Sequence, residues 1–291
     1  MNEPVDDRDP NPVVRQTQPS GRLAGKVIVV MGGTGGIGAA VVEACFAGGA
    51  TLVAAGLMPK AATPLPWLPA LRHRHVRLVI GDARYPETSV VAVRLAIQTW
   101  GRLDGLVHVA GGSGRALGDG PLHEIPWEGW TETLRWNLET VYHSNRAALE
   151  PLMRAGQGSI VNITSVLADH PAPRHFATHA YAAAKAAVVG LTRAAAAFYA
   201  PWNIRVNAVA PGLIQTPMAE RALADDQIQE FLRRKQPLGQ GGPGLPSDVA
   251  AAVVYLLSDE SRLVTGQVIA VDGGWTVTDS GAVAIRSSPH D

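Results

Sequence analysis

A tyrosine and a lysine four residues apart, Tyr181 and Lys185, lie in the alanine-rich run YAAAKAAVVGL, which reads as helix. At that spacing the two side chains share one helix face, one turn apart. A phenol ordinarily titrates near ~10, and a neighbouring ammonium favours the phenolate and draws that value down. A tyrosine held this way can give and take a proton at a reacting oxygen. Upstream, Ser165 closes the β-branched run SIVNITS and offers a hydroxyl to the same spot. A Tyr–Lys pair on a helix also arises by chance, so its meaning depends on the elements around it.

Lys26–Met31 (KVIVVM) is a short apolar run that leads into Gly32-Gly33-Thr34-Gly35-Gly36-Ile37-Gly38, then the helical AAVVEACFAGG and a second strand, Thr51–Ala55. Strand, glycine loop, helix, strand is the setting in which glycines imply a nucleotide site, because bare backbone lets N–H groups and a helix N-terminus approach a pyrophosphate. Residues 57–75 hold four prolines and allow at most a short helix. Strands follow at Val76–Ile80, Leu103–Ala110, 159–164, Ile204–Val209 and Val268–Val271, and helices at Pro86–Trp100, 127–152, 180–200 and Pro246–Leu257. The helix over 127–152 carries Trp130, Leu134, Leu138 and Val141 on one stripe, which predicts its buried face. Residues 111–125 read as a glycine-rich loop, and 217–237 as a mobile helical flap. Strands alternating with helices predict an α/β fold: a single doubly wound parallel sheet with helices on both faces.

One domain is expected, over 22–278, between a disordered leader (1–21) and a flexible tail (279–291). The chain has 291 residues, 46% of them apolar, which is ample for a large core. Lys plus Arg equals Asp plus Glu, at 25 each, so no charge excess points to nucleic acid or an anionic membrane. The sole cysteine, Cys45, excludes an intrachain disulfide and suits a reducing compartment. No apolar run reaches the ~18 residues of a membrane span. The N-terminus lacks the apolar stretch of a signal peptide, so a cytoplasmic location is expected.

In this order the motifs resemble the short-chain dehydrogenase/reductase family, from about Leu23 to Thr276. The glycine segment resembles T-G-x-x-x-G-x-G, with Met31 in place of Thr. Asp82 matches the acid at the adenine amine. His108-Val109-Ala110-Gly111 stands where N-N-A-G is usual, and the two missing asparagines predict a local rearrangement beside the central sheet. Asn137, in WNLETVY, matches the asparagine that holds a relay water. Ser165, Tyr181 and Lys185 match the family's serine, tyrosine and lysine. Asn207–Gly212, Thr265–Gln267 and Val271–Gly274 match its closing segments, and Thr216 falls where the nicotinamide carboxamide binds.

The resemblance implies a Rossmann-like fold and hydride transfer between a nicotinamide and a secondary alcohol or ketone. Tyr181 is then the acid/base, Ser165 the holder of the substrate oxygen, and Lys185 the ligand of the ribose hydroxyls and modulator of Tyr181. The cofactor site implied comprises Gly32, Thr34, Gly36, Ile37, Gly38, Gly56, Leu57, Asp82, Ala83, Ala110, Gly111, Tyr181, Lys185, Pro211, Gly212, Ile214 and Thr216. NAD enzymes place an acid at the end of the second strand. Here that position is Gly56, which favours NADP(H), with NAD(H) still open, and Lys60, Arg72 and Arg74 lie nearby in sequence. Asp169, His170, Arg174, His175 and His179 fall between Ser165 and Tyr181. His175 and His179 make too few ligands for a metal, so no metal is expected. With Arg115 and His123 they suggest a polar or anionic substrate. A 3-oxoacyl-carrier-protein-type ketoreductase and a non-catalytic cofactor-binding regulator are the alternatives. The small residues of helix 180–200 (Ala182, Ala183, Ala186, Ala194, Ala197), with the family's habit of pairing its helices, imply a homotetramer.

Overall fold

Strands whose residues are apolar on both faces must lie in the middle of a sandwich, and the strands here do. The structure is a computed structural model that describes residues 21–58 and 75–279. Its strands are β1 (Val27–Met31), β2 (Thr51–Gly56), β3 (Val76–Ile80), β4 (Gly105–His108), β5 (Gly158–Ile163), β6 (Ile204–Pro211) and β7 (Val268–Val271). They form one parallel sheet in the order β3-β2-β1-β4-β5-β6-β7. Alternation along β1 sends Ile28 and Val30 into one core, and Val27, Val29 and Met31 into the other. Helices α1 (Gly36–Ala47) and α8 (Pro246–Leu257) pack together on the first side. Helices α2 (Pro86–Trp100), α4 (Thr140–Ala155) and α5 (His179–Tyr199) cover the second. Among the described residues no helix is long and apolar enough to cross a membrane. The leader, the tail beyond Asp279 and the segment with Lys60, Arg72 and Arg74 lie outside the described residues.

The helix predicted over 127–152 differs in an instructive way. It starts as α3 (Trp127–Leu134), passes through a π-turn at Arg135–Glu139 and continues as α4. Of the predicted stripe only Val141 is buried; Trp130, Leu134 and Leu138 are half-buried. The buried face instead holds Gly129, Thr133, Asn137, Thr140, Ser144 and Asn145. Apolar periodicity failed there because Asn137, Thr140, Ser144 and Asn145 on this face are held by hydrogen bonds, and the wider π-turn rotates the register at Asn137.

The rearrangement expected at His108 does not occur. β4 keeps its pairing, Met31 with His108 and His108 with Asn162. The fully buried imidazole supplies the missing polar contacts itself. Nδ1 lies 2.8 Å from the Ser144 hydroxyl, and Nε2 lies 3.0 Å from the Ala110 carbonyl and 3.2 Å from the Thr140 hydroxyl. Since a carbonyl only accepts, Nε2 carries the proton. Burial, with help from Lys185, pushes the His108 pKa down to about 3, so the ring is neutral.

Residues 217–237 are helical as predicted, in three short pieces: a 3-10 turn at Pro217–Ala219, α6 (Glu220–Leu223) and α7 (Asp226–Lys235). Asp225 caps α7 by accepting from Gln227 N and Ile228 N. Ile228 and Leu232 bury their side chains with Trp275, Val166 and Ala222 in a third apolar cluster.

Candidate active site

β1 has β2 on one side and β4 on the other, so the loops leaving β1 and β4 diverge around a crevice at the carboxyl edge of the sheet. The glycine loop fills the floor of that crevice by close backbone approach. A Cβ on Gly32, whose φ is +86°, would sit 2.6 Å from Ala110 N, and one on Gly38 would sit 1.9 Å from Gly32 O. α1 begins at this loop with Gly35 as N-cap, no capping side chain and no acid in its first turn. Its first N–H groups are therefore available to an anion, and the space beside Gly35 is open. Thr216, arriving from beyond β6, places its methyl 3.4 Å from where a Gly36 Cβ would be. The residues thus fit a dinucleotide pyrophosphate.

At the end of β2 a Cβ on Gly56 would lie 2.4 Å from the Thr34 hydroxyl, and Leu57 beside it is exposed. Asp82, past β3, has a partner that the sequence did not announce. Arg84 donates to it from its backbone N (2.9 Å), Nε (2.9 Å) and a terminal nitrogen (2.6 Å). Burial disfavours the Asp82 charge, but Arg84 more than compensates and holds it below the usual carboxylate value. Arg84 also covers the Trp136 ring at 5.3 Å. Ala83 is buried next to the pair, Pro211 and Ile214 are buried beyond the edge of β6, and Gly212 is half-buried between them.

The proton-handling groups meet where β5 gives way to α5. Ser165 follows β5 and accepts from Leu167 N at 3.2 Å. Thr164 donates to the Lys185 carbonyl at 2.8 Å, which ties the strand end to the helix. Lys185 is buried, donates to the Ile163 carbonyl at 3.0 Å and stands 5.6 Å from the centroid of the Tyr181 ring. Burial lowers its pKa to about 8. Burial also raises the pKa of Tyr181, and a hydrogen bond with Ser165 draws it part of the way back. The net shift of Tyr181 is therefore upward, against the lowering expected from its neighbour Lys185, because burial is the largest influence on it.

Asn137 is buried in the π-turn between α3 and α4. Its Oδ1 accepts from Gly112 N at 3.1 Å, and its Nδ2 donates to Gly112 O at 2.8 Å and Thr133 O at 2.9 Å. With its side chain tied to the loop after β4, Asn137 orders that loop, and the second lone pair of Oδ1 stays available to a donor such as water. Gly111 lies where the two residues converge; a Cβ there would be 2.6 Å from Asn137 Oδ1 and 3.5 Å from Lys185 Nζ.

Asp119 was invisible in the sequence. This buried carboxylate accepts from both Ala180 N and Tyr181 N at 2.9 Å, and so caps the helix that carries Tyr181. A negative charge is favoured at a helix N-terminus, but no local pattern links position 119 to position 180. His179 joins the same contact through Nδ1, 2.8 Å from Gly120 O, and His123 pairs with Glu124 at the surface.

A family model described as enoyl-(acyl carrier protein) reductase matches residues 32–276. A 3-alpha-(or 20-beta)-hydroxysteroid dehydrogenase of Mycobacterium tuberculosis is 36% identical over 275 residues, covering 93% of this chain and 98% of that protein. A 3-oxoacyl-[acyl-carrier-protein] reductase of Thermotoga maritima is 36% identical over 260 residues, covering 88% and 100%. Among solved structures, a short-chain type dehydrogenase/reductase from Mycobacterium ulcerans superposes with a TM-score of 0.78 at 32% identity, covering 88% of this chain and 92% of that one. With a match across nearly the whole described sheet, a dinucleotide cradle at its switch point, and relatives that are dehydrogenases and reductases, this chain belongs to the short-chain dehydrogenase/reductase family and is an oxidoreductase acting on CH–OH groups.

Proposed function

We propose that Ser165, Tyr181 and Lys185 form the site at which a secondary alcohol and its ketone are interconverted with a nicotinamide dinucleotide. The observation that carries this reading is that Tyr181, its ring centroid 5.6 Å from the ammonium of buried Lys185, shares the junction of β5 and α5 with Ser165. When bound, the nicotinamide supplies or accepts the hydride. Tyr181, kept protonated at neutral pH by burial, donates its proton to the substrate oxygen in the reductive direction and recovers it in the oxidative one. Ser165 donates a hydrogen bond to that oxygen while charge develops on it. Lys185 lies close enough to stabilise the phenolate left behind, and its ammonium is the donor available to ribose hydroxyls. Asn137 and Asp119 fix the Gly111–Gly112 loop and the start of α5 around these groups.

The test is turnover by purified protein of secondary alcohols and ketones, neutral and anionic, with each nucleotide. No turnover across the panel, with nucleotide still bound tightly, would favour a binding role instead.

For the nucleotide, NADP(H) is the reading supported by the absence of a carboxylate at Gly56 and by the Thr34 hydroxyl standing in its place. Gly56→Asp is expected to shift the NADP/NAD ratio of kcat/KM towards NAD by about tenfold, or ~1.4 kcal/mol. The Thr34 side chain must rotate to admit the new Cβ. An unchanged ratio would place the 2′ contact elsewhere.

The chain is further proposed to assemble as a homotetramer. A groove of about 1010 Å³ runs between α2, α4 and α5, away from the Ser165–Tyr181 site. Tyr142 and Phe198 on its border are 50% and 64% exposed, and Ala183, Ala186, Ala194 and Ala197 are exposed on α5. The edge strand β7 is only half-buried, so a second contact is open to it, although Trp275 beside it is spent on its own chain's core. Light scattering is expected to give about four chain masses, and Ala194→Arg to lower that value. A mass of 30.6 kDa for the unsubstituted protein would overturn the assembly.

A further inference from the structure

Arg115, in the loop after β4, and Arg221, on α6, each direct a terminal nitrogen at one atom, the carbonyl oxygen of His175, at 3.4 Å in both cases. That distance is long for an N–H···O bond. One neutral oxygen is a poor partner for two guanidinium groups that carry five N–H donors each. Among the described residues neither arginine forms a salt bridge. The carboxylate acting on Arg115 is Asp119, but its two oxygens already accept from Ala180 N and Tyr181 N. Burial, and then the charge of Arg221, both disfavour the Arg115 cation, so the pair is held together against repulsion.

Three chain segments supply these groups, and two of them are tied to the proton-handling site. The loop of Arg115 contains Asp119, which is bonded to Tyr181 N. The segment of His175 joins Ser165 to α5, and the His175 ring packs on Phe231 of α7 with centroids 4.7 Å apart. Beyond Ser165, Val166 and Phe176 join the apolar cluster that Phe231 also lines. The two guanidinium groups thus converge on the segment that joins Ser165 to α5, beside this apolar cluster.

We infer that Arg115 and Arg221 are an anion subsite, and that the substrate is a ketone or alcohol carrying an oxyanion group away from the reacting carbon. This rests on the alcohol/ketone reading above and adds the substrate class to it. Two guanidinium forks converging from different segments suit an anion with several oxygens, each fork taking its own. Carboxylate and phosphonate share that chemistry, and the test separates them.

The experiment measures kcat/KM for 4-oxocyclohexanecarboxylate, its methyl ester and 4-oxocyclohexylphosphonate, in the natural chain and in Arg115→Gln and Arg221→Gln. The natural chain is expected to prefer one anion over the ester at least tenfold, and whichever anion wins identifies the group. In each variant that anion-to-ester ratio is expected to fall at least tenfold, with partial recovery in Arg115→Lys. No preference in the natural chain, or an equal loss for anion and ester in the variants, would overturn the subsite and leave the arginines as mere loop ties. If no ketone turns over, the alcohol/ketone reading fails by itself. The subsite is then read by calorimetry with cyclohexanecarboxylate and cyclohexylphosphonate in the presence of NADP⁺. Saturable binding weakened at least tenfold in the variants supports it; no binding, or binding unchanged in the variants, overturns it.

Discussion

Tyr181→Phe is expected to lower kcat by about 10²–10⁴-fold, the range lost when a positioned acid/base is removed. The substitution deletes one oxygen and almost no volume, so the ring keeps its place on α5. Ser165 loses a partner but still accepts from Leu167 N. Nucleotide affinity is therefore expected to stay within a few-fold, and fluorescence titration of the cofactor checks that. A second signature comes from direction. Because the Tyr181 pKa is raised, the phenol form prevails through neutral pH, so reduction is favoured there and oxidation gains as pH rises. A variant that retained most of its kcat would remove Tyr181 from the mechanism.

Lys185→Met is expected to abolish turnover and yet stabilise the cofactor-free protein. Burial brings Lys185 down from 10.5 to about 8. At ~1.36 kcal/mol for each pKa unit, that is a penalty of about 3 kcal/mol for holding the ammonium in place. Met removes the charge but leaves the Ile163 carbonyl without its donor, at a cost of about 1–2 kcal/mol. The net gain at neutral pH is therefore about 1–2 kcal/mol, seen as a Tm higher by a few degrees. Between pH 8 and 10.5 the unfolded chain binds more protons at this position than the folded one, so stability of the natural protein rises with pH across that window. The advantage of Met is largest below pH 8 and fades towards 10.5. Thermal melts at several pH values test this, and destabilisation at pH 7 would show that Lys185 contributes to the fold rather than to function at the fold's expense.

Much of this was legible in linear order because it depends on local chemistry. VIVVM, TLVAAG and IRVNAVAP are strands whose continuous apolar character reports burial on both faces, and they lie where the sequence placed them. Pro86 and Pro246 start their helices at N1, and both helices end where expected. The glycine loop was readable because contacts as short as those at Gly32 and Gly38 admit no other side chain. Tyr181 and Lys185 share a helix, so their adjacency follows from the helical repeat itself.

What remained was decided by contacts between segments far apart in the chain. Asp119 reaches α5 across 61 residues, and Arg115 reaches His175 across 60; no periodicity or composition encodes such a meeting. The polar face of Asn137, Thr140 and Ser144 defeated the apolar stripe because its partners are the backbone at Gly112 and the imidazole of His108, which lie on other elements. His108 itself looked like a defect in sequence, and only packing shows that one neutral ring bonds Ser144, Thr140 and Ala110 together. Protonation followed the same division. The sequence placed an ammonium one turn from a phenol, but whether their charges meet depends on solvent exclusion. Burial decided that, and it exists only once β5, α5 and the sheet have packed.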